Sequence, residues 1–206
     1  QPWRLALAWL RAAGVPWADD LPPVTTTSDE ERRIVENMLQ AGVNAPLTSS
    51  MGRLFDAVAA LAGGRQEVNY EAQAAIEFEA ALDSSERSGY DFEVEGMLIR
   101  AIPVIRQVVQ DVRSGVGLGV ISARFHNGLA ALVLDLAIRV RDDRGLDQVA
   151  LSGGVWQNMA LLDRTFWLLD RAGFKVLLHH QVPTNDGGVA LGQAVIAAQR
   201  AADQGL

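Results

Sequence analysis

Two stretches, VALSGGVWQNMALL at residues 149–162 and VLLHHQVPTNDGGVALGQ at residues 176–193, decide the fold of the second half of this chain. Each begins with a short apolar run, which predicts strands at 149–151 and 176–178. Each then passes through a glycine pair toward an amphipathic segment, which predicts helices over 156–172 and 189–200. The order strand, helix, strand, helix predicts two parallel strands joined by a right-handed crossover.

The two glycine-containing turns are the first candidates for a binding site. Ligands of open α/β sheets lie beyond the carboxyl ends of the strands, and both turns are predicted there. In the first turn, Gly153 and Gly154 permit close approach of a ligand to the backbone, and Asn158 in the first helical turn offers its amide. The alternative is a plain strand-to-helix turn. In the second turn, Asp186 can bind a metal or water, or it can be a helix N-cap beside Asn185 as a turn former.

The remainder of the chain is predicted to be mainly helical. Ser28 and Glu31 have the spacing of a capping box that begins a helix ending near Gln40. Residues 1–90 are expected to form a mainly helical part and residues 91–206 an α/β part. Further helices are predicted over 2–13, 51–62, 70–82, 97–112 and 120–141, a loop over 19–27, and a short strand through Tyr90, Phe92 and Val94.

A third candidate segment, TSSMGRLFDA at 48–57, carries Arg53 and Asp56. Asp56 follows the apolar Phe55, so it points about 100° away from the packed helix face and can line a cleft. The alternative is a surface ion pair with Arg53. His126 lies inside a predicted helix, where a lone histidine is more often an interior group than a ligand. His179 and His180 are adjacent on a predicted strand, so they point to opposite faces and cannot chelate one metal.

Composition and charge exclude several classes of protein. The 206 residues carry 18 Lys and Arg against 25 Asp and Glu, a net charge of −7, and no cysteine. Such a chain lacks the positive patch that binds nucleic acid, and with no Gly-Lys pair it has no P-loop. Without cysteine there is no disulfide, zinc-thiolate site or thiol nucleophile. No apolar run approaches the ~20 residues that span a bilayer. We therefore expect a cytoplasmic protein that binds neither nucleic acid nor membrane.

Five segments together resemble the carboxy-terminal carbamoyltransferase domain of the HypF family of [NiFe]-hydrogenase maturation proteins. The family TsaD, which acts on tRNA, shares the fold, but it carries GEAFDK where this chain reads GRLFDA at 52–57. The chain begins without Met, and we expect it to be a piece of a longer protein. The five segments are TSSMGRLFDAVAAL at 48–61, NYEAQAAIEFEA at 69–80, ISARFHNGLA at 121–130, LSGGVWQN at 151–158 and VPTNDGGVALGQ at 182–193.

The resemblance implies a helix-rich α/β fold, the second lobe of a two-lobed sugar-kinase/actin-like (ribonuclease-H-like) architecture with a helical insertion. Residues 1–206 would then be one truncated domain. In that family the residues matching Gly153, Gly154 and Asn158 hold adenosine, and the residue matching Asp56 contacts the ribose of ATP or carbamoyl-adenylate. The residue matching Asp186 ligates a divalent metal of the Fe or Zn class, shared with a His-x-x-x-His pair of the missing first lobe.

Arg53, Glu71 and His126 lie in the matching segments and are further candidates for the site. One departure from the family concerns the segment at 70–73, which reads YEAQ here where family members usually read YEGQ. A glycine there would permit close backbone approach to the nucleotide. Ala72 is therefore expected to weaken that contact.

By resemblance, the parent protein makes carbamoyl-adenylate from carbamoyl phosphate and ATP. It then passes the carbamoyl group to the C-terminal cysteine of HypE, on the way to the cyanide ligands of the hydrogenase iron. The isolated chain is expected to be inactive, and no catalytic residue is assigned. Two alternatives stay open. One is a non-catalytic module that docks HypE through an exposed lobe face, a face that also predicts a homodimer. The other is an O-carbamoyltransferase acting on a small molecule.

Overall fold

The computed structural model describes residues 1–96 and 98–204 of the chain. It divides into two compact units, Gln1–Leu132 and Val133–Leu206, and the division falls inside a long helix. The boundary predicted at residues 90 and 91 lies within the first of these units. The described secondary structure is mostly helical with two small sheets, so the helix-rich α/β class is confirmed.

The first unit holds the helical part of the chain and a β-hairpin, and the second unit holds the parallel strands. The first contains α1 (Pro2–Ala12), α2 (Pro22–Thr25), α3 (Asp29–Ala41), α4 (Met51–Leu61), α5 (Gln73–Ala80), β1 (Glu93–Glu95), β2 (Leu98–Arg100), α6 (Ile102–Arg113) and the start of α7 (Leu118–Arg144). The second contains the rest of α7, β3 (Gln148–Ala150), a 3-10 turn (Gly154–Gln157), α8 (Met159–Arg171), β4 (Lys175–Leu177), a second 3-10 turn (Asp186–Gly188) and α9 (Val189–Asp203).

Helix α4 lies at the centre of the first unit, because every residue from Leu54 to Leu61 is buried. A helix that is apolar on nearly all sides is stable only when other elements cover it. Helix α1 packs against it with an apolar stripe at helical spacing, Trp3, Leu7 and Leu10. The ring of Phe55 on α4 meets the ring of Phe125 on α7 edge-on, with 4.8 Å between centroids. This helical core confirms the predicted helix over 2–13 and the packed face of Phe55.

The predicted capping box is confirmed at the start of α3. The Ser28 hydroxyl accepts from the Glu31 N–H, and the Glu31 carboxylate accepts from the Ser28 N–H at 2.8 Å. The loop predicted for 19–27 is wrong in part, because Pro22–Thr25 forms the short helix α2. Proline at the first helical position presets the backbone. The Thr26 hydroxyl then donates to the Pro22 carbonyl at 2.9 Å and holds the turn closed.

Two other predicted helices begin later than the sequence indicated. The helix predicted from Tyr70 begins at Gln73, because Ala72 takes a left-handed conformation with φ +62°. The helix predicted from residue 97 begins at Ile102, because β2 pairs antiparallel with β1 through the Val94–Ile99 partners. Met97 itself lies outside the described residues.

The segment leading into the hairpin is held close to α7. The Tyr90 N–H donates to the Arg124 carbonyl at 3.0 Å, and the Tyr90 hydroxyl donates to Asp111 at 2.6 Å. A Cβ built on Gly128 would lie 2.1 Å from the Tyr90 carbonyl oxygen, so only glycine permits this approach. Burial, and then the hydrogen bond to Asp111, raise the pKa of the Tyr90 hydroxyl. These contacts fix Tyr90, just before the hairpin, against α7.

In the second unit, β3 and β4 pair in parallel with Ala150 opposite Leu177, as the sequence predicted. Leu151, Leu169 and Phe174 form the buried centre between the strands, α7 and α8. The Arg141 guanidinium lies 4.4 Å from the ring centroid of Phe174. The predicted helix 156–172 is shorter at its start, since residues 154–157 form a 3-10 turn before α8.

Helices α7 and α9 differ in how much of their apolar surface is covered. The 27 residues of α7 include a window whose length and composition also occur in membrane-spanning helices, but half of that window is buried inside the protein. Such burial is typical of a core helix. In α9, by contrast, no residue is buried, and the apolar side chains of Val189, Leu191, Val195 and Ile196 are exposed.

Candidate functional site

The two predicted turns of the second unit are tied to each other at one edge of the parallel sheet. The Gly153 N–H donates to the Thr184 carbonyl at 2.8 Å, and the Thr184 hydroxyl donates to the Gly153 carbonyl at 3.2 Å. Both turns follow the carboxyl ends of their strands, because the pairing of Ala150 with Leu177 places the strand ends side by side. This is the edge at which open α/β sheets bind ligands.

The backbone of the first turn requires glycine and is open on one side. Gly153 has φ +106° and ψ 162°, a conformation that residues with a Cβ rarely adopt. A Cβ added at Gly153 or Gly154 would meet no atom within 4 Å among the described residues. The turn therefore leaves room for a ligand beside the backbone. The Gly153 N–H already donates to Thr184, so that amide is committed to holding the two turns together.

Asn158 is the N-cap of α8, one position before the helical turn in which the sequence placed it. Its side-chain oxygen accepts from the Leu161 N–H at 2.8 Å. Asparagine is among the preferred N-cap residues because this bond satisfies a backbone donor that the helix leaves open. The cap also fixes the position of the side chain at the start of α8, and the resemblance assigns this residue to adenosine.

Asp186 is exposed and begins the 3-10 turn that leads into α9. The sequence left open that Asp186 is an N-cap. The N-cap of this turn is instead Asn185, whose side chain accepts from the Gly187 N–H at 3.1 Å. Among residues 1–96 and 98–204, no group of three His, Cys, Asp or Glu side chains can hold a metal ion. The donors of the described chain therefore do not complete a metal site. Asp186 fits a metal only as one ligand of a site that another part of the protein completes.

Asp56 and Arg53 lie in the first unit, at the start of the buried stretch of α4. An Arg53 N–H donates to the Asp56 carboxylate at 3.0 Å, so the predicted ion pair is present. It is not a pair of two surface groups, because Asp56 is only 9% exposed. Burial raises the pKa of the Asp56 carboxyl, and the Arg53 charge opposes the rise. A carboxylate held partly dry at a helix surface is a strong acceptor for a ligand hydroxyl.

The two remaining candidates differ in exposure. Glu71 is exposed in the turn before α5. His126 is fully buried, with its Nδ1 2.7 Å from the Ser122 carbonyl oxygen and its ring beside Phe55 and Phe78. The structure thus places His126 in the aromatic core of the first unit, which is the interior role that the sequence favoured.

One polar pair was missed from sequence. The His179 Nε2 lies 2.9 Å from the Ser152 hydroxyl oxygen. The sequence placed His179 and His180 on a strand, but β4 ends at Leu177, so both histidines follow it. Ser152 and His179 each stand two residues beyond their strand. The 27-residue offset of the pairing, which gives Ala150 opposite Leu177, places them opposite each other. That offset, applied two residues past the end of each strand, is the signal that would have found the pair.

Comparison with known proteins agrees with the fold. The family model described as the second subdomain of the Kae1-like domain of carbamoyltransferases matches residues 1–193. Carbamoyltransferase HypF of Rhizobium leguminosarum bv. viciae is 36% identical over 97% of this chain and 26% of its own length. The HypF of Synechocystis is 36% identical over 83% of this chain and 22% of its own.

Solved structures give the same result. A crystal structure described as full-length HypF in the phosphate- and nucleotide-bound form matches 97% of this chain and 26% of its own, with a TM-score of 0.86 and 37% identity. The HypF structure of T. kodakarensis matches 95% of this chain and 27% of its own with a TM-score of 0.79, and at 24% identity it supports the fold alone.

The fold and these matches therefore define a Kae1-like subdomain of the carbamoyltransferase class. The chain belongs to the HypF carbamoyltransferase family, and residues 1–193 match the second subdomain of the Kae1-like domain. It spans about a quarter of the length of the HypF proteins compared above.

Proposed function

We propose that this chain is the nucleotide-binding half of a carbamoyltransferase that acts in the maturation of [NiFe]-hydrogenases. The parent protein would form carbamoyl-adenylate from carbamoyl phosphate and ATP, and it would transfer the carbamoyl group to the C-terminal cysteine of HypE. A cytoplasmic location is part of the proposal, and the absence of cysteine from the chain favours it. The relatives named HypF support the reaction class, and one of them has been solved with phosphate and nucleotide bound.

The observation that carries the proposal is the pair of hydrogen bonds between Gly153 and Thr184. They fix two glycine-rich turns side by side at the carboxyl edge of a parallel sheet, with open space beside the first turn. A preformed turn loses little conformational entropy when a ligand binds, so its binding energy is available for orientation. The role of these residues is to hold the adenylate still while the carbamoyl group is transferred.

The residues of the chain then have distinct tasks. Gly153 and Gly154 give the ligand access to the backbone, and the capped Asn158 presents its amide toward the adenine. The resemblance assigns Asp56, in the first unit, to a ribose hydroxyl, and its partly buried carboxylate is a strong acceptor for such a group. A divalent metal, when bound, would polarise a phosphoryl or carbonyl oxygen. This chain contributes Asp186 to that site, and no step of transfer is assigned to residues of the described chain.

Calorimetric titration with ATP tests the adenosine site. Wild type is compared with Asn158→Ala and with Asn158→Asp, which keeps an oxygen to cap α8 but removes the amide donor. Loss of one hydrogen bond is worth ~0.5–1.5 kcal/mol, so both variants should bind about two- to tenfold more weakly. Ser28→Ala is the matched control, since it removes a cap of α3 and should leave ATP affinity unchanged. Equal affinity of wild type and both Asn158 variants would sink the adenosine assignment.

The exposed apolar side chains of α9 favour a second candidate function, the docking of HypE or of a second copy of the chain. Four large apolar residues lie uncovered on one helix, and such surfaces usually meet a partner. Pull-down with purified HypE, and sedimentation of the chain alone, separate the two partners. Val195→Asp should abolish whichever association exists. Retention that is unchanged by Val195→Asp would exclude α9 as the docking surface.

A further inference from the structure

The pair formed by Ser152 and His179 has no role in the function described so far. Both residues are exposed, and each lies directly beyond the end of one of the two parallel strands. The 2.9 Å between the His179 Nε2 and the Ser152 hydroxyl oxygen is a hydrogen bond that crosses from one turn to the other. It stands one residue before Gly153, whose own bonds to Thr184 join the same two turns.

The two turns at this edge of the parallel sheet carry no cationic side chain from Lys or Arg. Residues 148–160 and 178–190 contain neither Lys nor Arg, and their one carboxylate is Asp186. Within these two segments, the donors available to a phosphoryl group are therefore N–H, hydroxyl and imidazole groups. The Thr184 hydroxyl and the Gly153 N–H are committed to each other's carbonyls. The Ser152 hydroxyl is the nearest side-chain donor to the open Gly153-Gly154 turn along the chain.

The direction of the hydrogen bond between His179 and Ser152 decides whether the Ser152 hydroxyl can donate to a ligand. If the imidazole accepts, the Ser152 proton is used up and the hydroxyl presents only lone pairs. If the imidazole Nε2–H donates, the hydroxyl oxygen is held in place and its proton turns outward. An anionic ligand selects the second arrangement, because only that arrangement gives it a donor.

We propose that His179 is a positioning residue that turns the Ser152 hydroxyl proton toward a phosphoryl oxygen of the nucleotide bound at the Gly153-Gly154 turn. The inference rests on the proposed nucleotide site and adds a recognition element for its phosphate. His179 acts through Ser152. The pair selects nucleotides over nucleosides, since a nucleoside has no phosphoryl group to receive the bond.

The test is calorimetric titration of the native full-length protein with AMP and, separately, with adenosine. Ser152→Ala and His179→Ala should each weaken AMP binding about tenfold, the equivalent of one charge-assisted hydrogen bond, and change adenosine binding less than twofold. The double variant should be no weaker than either single variant, because the two residues act as one unit. His179→Gln retains a donor at the position of Nε2 and should recover most of the AMP affinity.

His180→Ala is the matched control, because His180 is an exposed neighbour and AMP binding should not respond to it. Three results would overturn the inference: equal weakening of AMP and adenosine in His179→Ala, an additive double variant, or AMP affinity unchanged in His179→Ala. The last two leave the proposed function standing. A wild type that binds neither AMP nor adenosine would refute the proposed function itself.

Discussion

Replacing Ala72 with glycine is expected to stabilise this chain, although glycine usually destabilises a helix interior. Ala72 precedes α5 with φ +62° and ψ 8°, in the left-handed region. Its side chain is exposed, so removing the Cβ forfeits no packing. Members of the HypF family usually carry glycine at this position. The structure supplies the physical reason, since the backbone turns there in a way that suits glycine.

The size of the effect follows from two opposing terms. An L-residue with a Cβ costs ~1–2 kcal/mol in the left-handed conformation, and glycine avoids that cost. Glycine also gives the unfolded chain more freedom, which removes ~0.5–1 kcal/mol of the gain. The net stabilisation is therefore ~0.5–1 kcal/mol. For a chain of this length, 1 kcal/mol corresponds to ~2–4 °C in Tm.

Urea unfolding followed by circular dichroism measures the change in the free energy of unfolding, provided the slope with urea stays constant. Ala80→Gly is the matched control, because Ala80 is an exposed alanine in the right-handed part of α5. There the same substitution should cost ~0.5–1 kcal/mol. The two variants should thus move the urea midpoint in opposite directions. The reasoning is refuted if Ala72→Gly destabilises the chain by as much as Ala80→Gly does.

Other substitutions test packing, charge and capping. Gly128→Ala should lower the free energy of unfolding by ~1–3 kcal/mol, because the new methyl would overlap the Tyr90 carbonyl. Gly192→Ala, in open space on α9, should raise it by up to ~1 kcal/mol in the same urea titration. Burial raises the pKa of Asp56 above its ordinary 3.8, so the wild-type fold weakens as pH rises from 3.8 through the folded value. The stability of Asp56→Asn relative to wild type should therefore increase with pH. Hydrogen bonds, first among them that from the Ser88 N–H, lower the pKa of Glu86 from 4.5 to about 2. The stabilisation by Glu86 should vanish as pH falls from 4.5 toward 2 and be missing in Glu86→Gln, as acid titration of the unfolding midpoint will show. Asn158→Ala should cost ~1 kcal/mol of stability and Asn158→Asp much less, because only aspartate keeps the cap.

Much of the secondary structure could be predicted because its signals lie within a few residues of each other. The capping box of α3 involves residues three apart, and the apolar stripe of α1 repeats along one helix. The β3–α8–β4 order also came from local periodicity and from glycine turns. The predictions that were wrong concern places where a distant contact overrides a local preference. The local sequence around Leu98–Arg100 predicts a helix, but this segment forms a strand because it pairs with β1.

The candidate site divides in the same way. Residue type and spacing identified Gly153, Gly154, Asn158 and Asp186 as residues beside a sheet edge. They could not show that Asn158 caps α8 through Leu161, because Asn158 was placed inside the helix. They also could not show the burial of Asp56, since burial depends on how much of α4 its neighbours cover. Metal binding at Asp186 stays a prediction.

By itself, the sequence determined the family, the order of strands and helices, and the two glycine turns, because each depends on neighbouring residues or on whole motifs. Only the tertiary structure decided which groups meet. The bonds between Gly153 and Thr184 and between Ser152 and His179 join residues that are 31 and 27 positions apart. Such contacts follow from strand register, and register is set by the packing of Leu151, Leu169 and Phe174 beneath the strands. The nucleotide site that we propose depends on those long-range bonds.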